Sequence, residues 1–198
     1  MSLSDEELVQ RVQTGDGSAF DTLVERYQES AFRIAQGMVR NQDDAKDLSQ
    51  EAFVKAYQGI GRFEKKATFF TWFCRILINL CIDHQRWRKR WFFWTPSAFQ
   101  EGKGSPVAVE REMSHPNPPI DPGRLLEQQE LKEKIRTCID SLPPMQRMVF
   151  ILRHYQDMPI GDISLVLNVA EGTVKSHLFR GALNLRKQLK RFVSGEEE

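Results

Sequence analysis

Thr173, Lys175, Ser176, Phe179 and Arg180 fall within a few residues of one another near the end of the chain. They offer two cations, two hydroxyls and an aromatic ring, with no base, nucleophile pair or metal ligand among them. Such a set suits binding rather than bond breaking: Lys and Arg favour guanine edges or phosphates, and Phe can touch a thymine methyl. Elsewhere the sequence has no paired carboxylates, metal-ligand cluster, nucleophile arrangement or phosphate-binding glycine loop. Neither an enzyme nor a bound cofactor is expected.

Two short helices joined by a tight turn must position these side chains. Ile160, Ile163 and Leu167 repeat at i, i+3 and i+7, and Asn168 suits the sharp exit because it tolerates the left-handed conformation. In the helix that follows, Val174, Leu178, Leu185 and Leu189 form one stripe, leaving the candidate residues on the arc beside and opposite it. The segment from Pro159 to Arg180 therefore reads as a helix-turn-helix, whose second helix would present its first amides to a phosphate.

Net charge is only +1, from 28 basic and 27 acidic residues, so total charge does not announce a polyanionic partner. Its distribution does. Residues 1–53 hold 11 acidic and 5 basic side chains, whereas residues 172–193 hold 6 basic and no acidic ones. A second basic cluster, Arg86-Trp87-Arg88-Lys89-Arg90-Trp91, interleaves cations with rings. Cys74, Cys81 and Cys138 form no C-x-x-C pair and support neither a zinc site nor a disulfide framework. No secretory signal and no membrane-spanning apolar run is seen, so a cytosolic protein without membrane contact is expected.

Helical periodicity dominates the rest, and the expected fold is all-α, in two small helical domains. Ser4 caps a first helix with Leu8 and Val12 inside. Gly15-Asp16-Gly17 interrupts, and Phe20, Leu23, Val24, Tyr27, Ala31, Ile34 and Met38 trace a long second helix. Asn41 caps a third, acidic helix running towards Gly59, and a loop at 62–67 precedes a fourth from about Thr68 to Trp91. On that fourth helix Phe69, Phe73, Ile76 and Leu80 make a core stripe, while Trp72, Arg75, Asn79 and Arg86 share another arc. A Trp among apolar neighbours is more often core. Six of the nine prolines lie between Thr95 and Gly123, which reads as a flexible linker. Leu126, Leu131, Ile135 and Ile139 then resume helical spacing, and Leu142-Pro143-Pro144 separates that helix from the next.

The combined pattern resembles the extracytoplasmic-function group of bacterial sigma factors, the interchangeable promoter-recognition subunits of RNA polymerase. The likeness is carried by Asp43 to Phe53, Phe69 to Asn79, Leu142 to Arg147 and Glu171 to Leu178, four stretches in the family's order. It implies sigma domain 2 over residues 1–94, a linker over 95–123, sigma domain 4 over 124–194 and an acidic tail over 195–198. By this resemblance Asp47, Gln50 and Glu51 would grip core RNA polymerase. Phe63, Lys65, Lys66, Arg75, Asn79 and Arg86 would read the minus-10 element of promoter DNA, with a flipped base held beside Asn79. Thr173, Lys175, Ser176, Phe179 and Arg180 would lie in the major groove at the minus-35 element. The family also implies an anti-sigma factor as a partner. Lys at position 175 stands where many relatives carry Arg, and Gly at 181 where Ala is commoner.

A helix-turn-helix regulator acting by operator occupancy is the alternative. It leaves the acidic helix and the segment from Trp72 to Asn79 without a purpose.

Overall fold

A computed structural model describes residues 3–94 and 122–194, with side chains for 3–86 and 131–190. Among the described residues all regular structure is helical. Helix α1 (Asp5–Gln13) starts at a reciprocal cap: the Ser4 hydroxyl accepts from Glu7 N at 3.3 Å, and Glu7 Oε2 accepts from Ser4 N at 2.8 Å. These bonds favour the charged carboxylate and hold Glu7 below its ordinary pKa. The chain turns at Gly15, whose φ of 102° lies in the region that favours glycine. It then enters α2 (Ser18–Val39) and α3 (Gln42–Gly59), the latter capped by the Asn41 side chain accepting from Asp44 N at 2.9 Å. A 3-10 turn, Ile60–Arg62, leads through a loop into α4 (Phe69–Trp94).

From residue 122 onward come α5 (Pro122–Asp140), α6 (Pro144–His154), α7 (Ile160–Leu167) and α8 (Glu171–Ser194). Residues 95–121 and 195–198, placed by sequence in the linker and the acidic tail, lie outside the described residues. Pro122 and Gly123, read as the linker's end, stand in the first turn of α5, where proline's fixed φ is compatible with a helix. Pro144 opens α6 for the same reason, and Asn168 ends α7 with φ 53°, ψ 49°.

Helices α1 to α4 pack around Leu8, Leu23, Ile34, Phe73 and Leu77, all fully buried. A smaller cluster of Cys138, Ile139, Leu142 and Leu185 joins α5 to α8. Leu131, counted on the same apolar spacing, is 55% exposed. The two halves do not stand apart. Met148, Val149, Ile151, Leu152, Met158, Ile163, Val166 and Val174 belong to one continuous core with the first four helices. In this seam α7 lies against α4, and α6 against α2.

A second stripe on α4 is buried that the apolar pattern alone does not separate, and it reaches the seam at Thr71. Thr71, Cys74, Ile78 and Cys81 are all buried, and Thr71 Oγ1 donates to Asp162 Oδ2 of α7 at 3.1 Å. Arg147 is 3% exposed and bonds only to carbonyl oxygens: Nε to Gly37 at 2.7 Å, and one terminal nitrogen to Asp140 at 2.9 Å and Leu142 at 3.4 Å. Burial, with the nearby Arg40 cation, lowers its pKa. The first of these bonds crosses from α6 to α2. Opposite it, the absent side chain of Gly37 makes room for Ile151: a Cβ there would stand 2.3 Å from Ile151 Cδ1.

Candidate nucleic-acid interface

The sequence-predicted residues fall on three exposed faces, all outside the seam. The first is on α3. Buried Ala45, Leu48, Ser49 and Ala52 turn one side of this helix inward, which leaves Asp47, Gln50 and Glu51 in solvent. Glu51 Oε1 lies 3.2 Å from Lys55 Nζ, one helical turn on. An exposed pair of that kind stabilises little, so Glu51 can exchange it for an external cation. Asp44 is drawn aside instead: its Oδ2 is 3.2 Å from His84 Nε2 on α4.

The second face joins α4 to the loop before it. Arg75, Asn79 and Arg86 are exposed along one arc, as the helical spacing requires, with Arg86 3.7 Å from Asp83. Trp72 borders this arc and is neither core nor free. It is half-buried, its ring 5.0 Å from Phe63 and 5.9 Å from Phe69, and close to the bare Cα of Gly59. Phe63, also half-buried, meets Phe69 edge-on at 6.4 Å. Two partly open rings beside an amide and cations form a surface on which a base can stack. Lys65 and Lys66 are exposed in the loop, Lys65 at φ 57° and Lys66 2.5 Å from Glu64.

The third face is on α8. Buried Val174 and Leu185 with half-buried Leu178 and Leu189 anchor one stripe, as the sequence predicts. Thr173, Lys175, Ser176, Phe179 and Arg180 all point to solvent on the rest of the helix. Phe179 is 67% exposed, more than any other large apolar side chain among the described residues. Lys175 Nζ lies 3.8 Å from Glu171 Oε2, an exposed pair that a phosphate could replace. Ser176 Oγ donates to Gly172 O at 2.8 Å, which fixes its rotamer. Gly181 is buried against Gln146, whose Cβ would lie 3.6 Å from an added Cβ, so alanine would fit there too.

Sequence reasoning passed over Gln13, which binds the loop of the second face, and Arg147, whose charge conceals that it is buried. A charged residue inside the apolar run Met145–Leu152 was the available signal for Arg147. Gln13 had none. Among the described residues no cluster of three or more His, Cys, Asp or Glu could hold a metal, and no helix is long and apolar enough to cross a membrane.

Comparison with known proteins places these faces in context. The family model Sigma-70 region 2 matches residues 23–92, and Sigma-70, region 4 matches residues 132–185. The chain is 33% identical over 190 residues to the RNA polymerase sigma-H factor of Pseudomonas aeruginosa, with 93% of each chain covered. It is 32% identical over 186 residues to the ECF RNA polymerase sigma factor SigW of Bacillus subtilis, covering 92% of this chain and 95% of that one. Among solved structures, the sigma factor RpoE in complex with the anti-sigma factor NepR from Bartonella quintana shares the fold. The TM-score is 0.68 at 22% identity, over 86% of this chain and 96% of that one.

Proposed function

The chain belongs to the sigma-70 family, in its extracytoplasmic-function group, and from that membership we propose how its work is divided over the three faces. It is an alternative sigma factor, which binds core RNA polymerase and directs promoter-specific initiation. In the proposed division the α3 face of Asp47, Gln50 and Glu51 docks on a basic surface of the polymerase. Arg75, Asn79 and Arg86, with Phe63, Lys65 and Lys66, take the minus-10 element, and the aromatic wall of Phe63 and Trp72 receives an unstacked base. Thr173, Lys175, Ser176, Phe179 and Arg180 enter the major groove at the minus-35 element. The chain itself is non-catalytic, the chemistry belonging to the polymerase, and it works in the cytoplasm beside it. An anti-sigma partner would act by covering one or more of these faces.

The observation that carries the minus-35 assignment is Phe179. An aromatic ring two-thirds in water gains nothing for the fold, and it is flanked on the same helix by two cations and a hydroxyl. Geometry adds a requirement. The two promoter elements are nominally about 25 base pairs, roughly 85 Å, apart at 3.4 Å per pair. A compact chain of this length has a radius of gyration of only about 16 Å. Reading both elements at once therefore requires the α4–α7 seam to part on the promoter.

Reconstitution with core polymerase tests the division. Asn79→Ala should bind polymerase normally, yet open promoters poorly and lose discrimination among minus-10 sequences. Unchanged minus-10 selectivity would remove Asn79 from the site.

A further inference from the structure

Beside the second face, one side chain holds the backbone from which the loop departs. Gln13, the last residue of α1, donates from Nε2 to the carbonyl oxygens of Ile60 at 2.8 Å and Phe63 at 3.1 Å, across 47 and 50 residues of sequence. An amide nitrogen has two hydrogens, so both bonds can form together. The two carbonyls mark the ends of the 3-10 turn, whose own closing bond runs from Phe63 N to Ile60 O at 3.1 Å. After Phe63 the backbone becomes extended and passes through Lys65 in the left-handed region before α4 begins. The Phe63 ring leaves at the same point to meet Phe69 and Trp72. Fixing these two carbonyls thus fixes where the ring and the basic loop start.

Helix α1 is itself held rigidly enough for this purpose. Its first turn carries the Ser4–Glu7 cap, and Asp5 accepts hydrogen bonds from Arg26 and Tyr27 of α2. Desolvation, with the Asp5 bond second, raises the Tyr27 pKa, so its phenol stays a donor. Leu8, Val9 and Val12 are buried along its length. The C-terminal end of α1 cannot drift without disturbing these contacts.

We propose that Gln13 is a positioning residue for base selection at the minus-10 element, acting from α1 through the Ile60 and Phe63 carbonyls and without touching DNA. The inference rests on the assignment of the Phe63–Lys66 loop to that element. The test uses the full chain with core polymerase on a promoter pool randomised at the minus-10 element. It reads the ratio of initiation on the favoured base to the other three, together with polymerase affinity and thermal midpoint. Gln13→Met keeps the length and removes the donors; Gln13→Lys keeps a donor. With two neutral hydrogen bonds removed, Gln13→Met should lower the selectivity ratio about fivefold or more while polymerase affinity holds, and Gln13→Lys should restore most of it. If Gln13→Met leaves the ratio unchanged while Phe63→Ala lowers it, Gln13 does not position the loop. A fall in initiation that tracks lost polymerase affinity, at constant ratio, would mark a merely structural residue and overturn the proposal. If Phe63→Ala also leaves the ratio unchanged, the loop assignment itself fails, and the role of Gln13 with it.

Discussion

Replacing Gly37 with alanine asks whether α2 and α6 touch in solution as they do in the structure. The added Cβ would stand 2.3 Å from Ile151 Cδ1, whereas carbon atoms prefer about 3.5–4.0 Å. Ile151 is 7% exposed, so its methyl must move by more than about 1 Å inside a packed core, or the helices must separate. Overpacking of this kind costs about 1–3 kcal/mol, and alanine's better helix propensity within α2 offsets about 1 kcal/mol of it. The net expectation is a loss of about 0–2 kcal/mol. In an Ile151→Ala background, itself costing about 2–5 kcal/mol, the clash is gone and Gly37→Ala should stabilise by about 1 kcal/mol. The propensity contribution is common to both backgrounds and cancels, leaving a coupling of about 1–3 kcal/mol. Urea unfolding of the four proteins, followed by far-ultraviolet circular dichroism, measures it. A coupling below about 0.5 kcal/mol, the range of independent sites, would refute the seam.

The promoter and polymerase faces give further expectations. Lys175→Ala should weaken initiation from promoters carrying a minus-35 element, leave polymerase binding intact and reduce the salt slope of DNA binding by about 1; lost polymerase binding would count against the role. Asp47→Lys, on the exposed face of α3, should lower affinity for core polymerase in a titration while the thermal midpoint stays unchanged, and equal affinity would exclude that face. Glu7 sits below its ordinary value of 4.5 because the Ser4 backbone and then its hydroxyl favour the carboxylate, so the cap's contribution is complete above 4.5 and fades as pH falls through the lower folded value. Ser4→Ala should therefore destabilise at pH 7 and by less in acid. A stability difference that stays constant on acidification would contradict the Glu7 pairing.

What could be read from the sequence follows the range of the interaction. Caps at Ser4, Asn41 and Asn168 depend on neighbours three or four residues away, and their residue types announced them. The solvent arc of α8 was equally legible, because Val174 and Leu185 with Leu178 and Leu189 leave only one way for that helix to face. The burial of Thr71 was not, since its hydroxyl meets Asp162 of α7, about 90 residues further along. Cys74 and Cys81, seven apart on one helix as packed residues would be, are both buried, and burial raises their thiols, Cys81 to about 12. Arg147 gave no sign by type: a guanidinium is usually found at the surface, yet here three bonds to carbonyl oxygens hold it inside. Trp72 fell between the two readings open to it, half in the core and half in the aromatic wall.

The core shared across the seam also changes what the covalent connection between α4 and α5 has to do. Recognition between the halves is written into apolar surface and into the Arg147–Gly37 and Thr71–Asp162 bonds, not into the peptide that links them. A covalent link between two binding modules contributes only a local concentration, at most on the order of millimolar. A chain severed between α4 and α5 should behave as two complementing fragments that associate when mixed, through the apolar face each otherwise leaves bare.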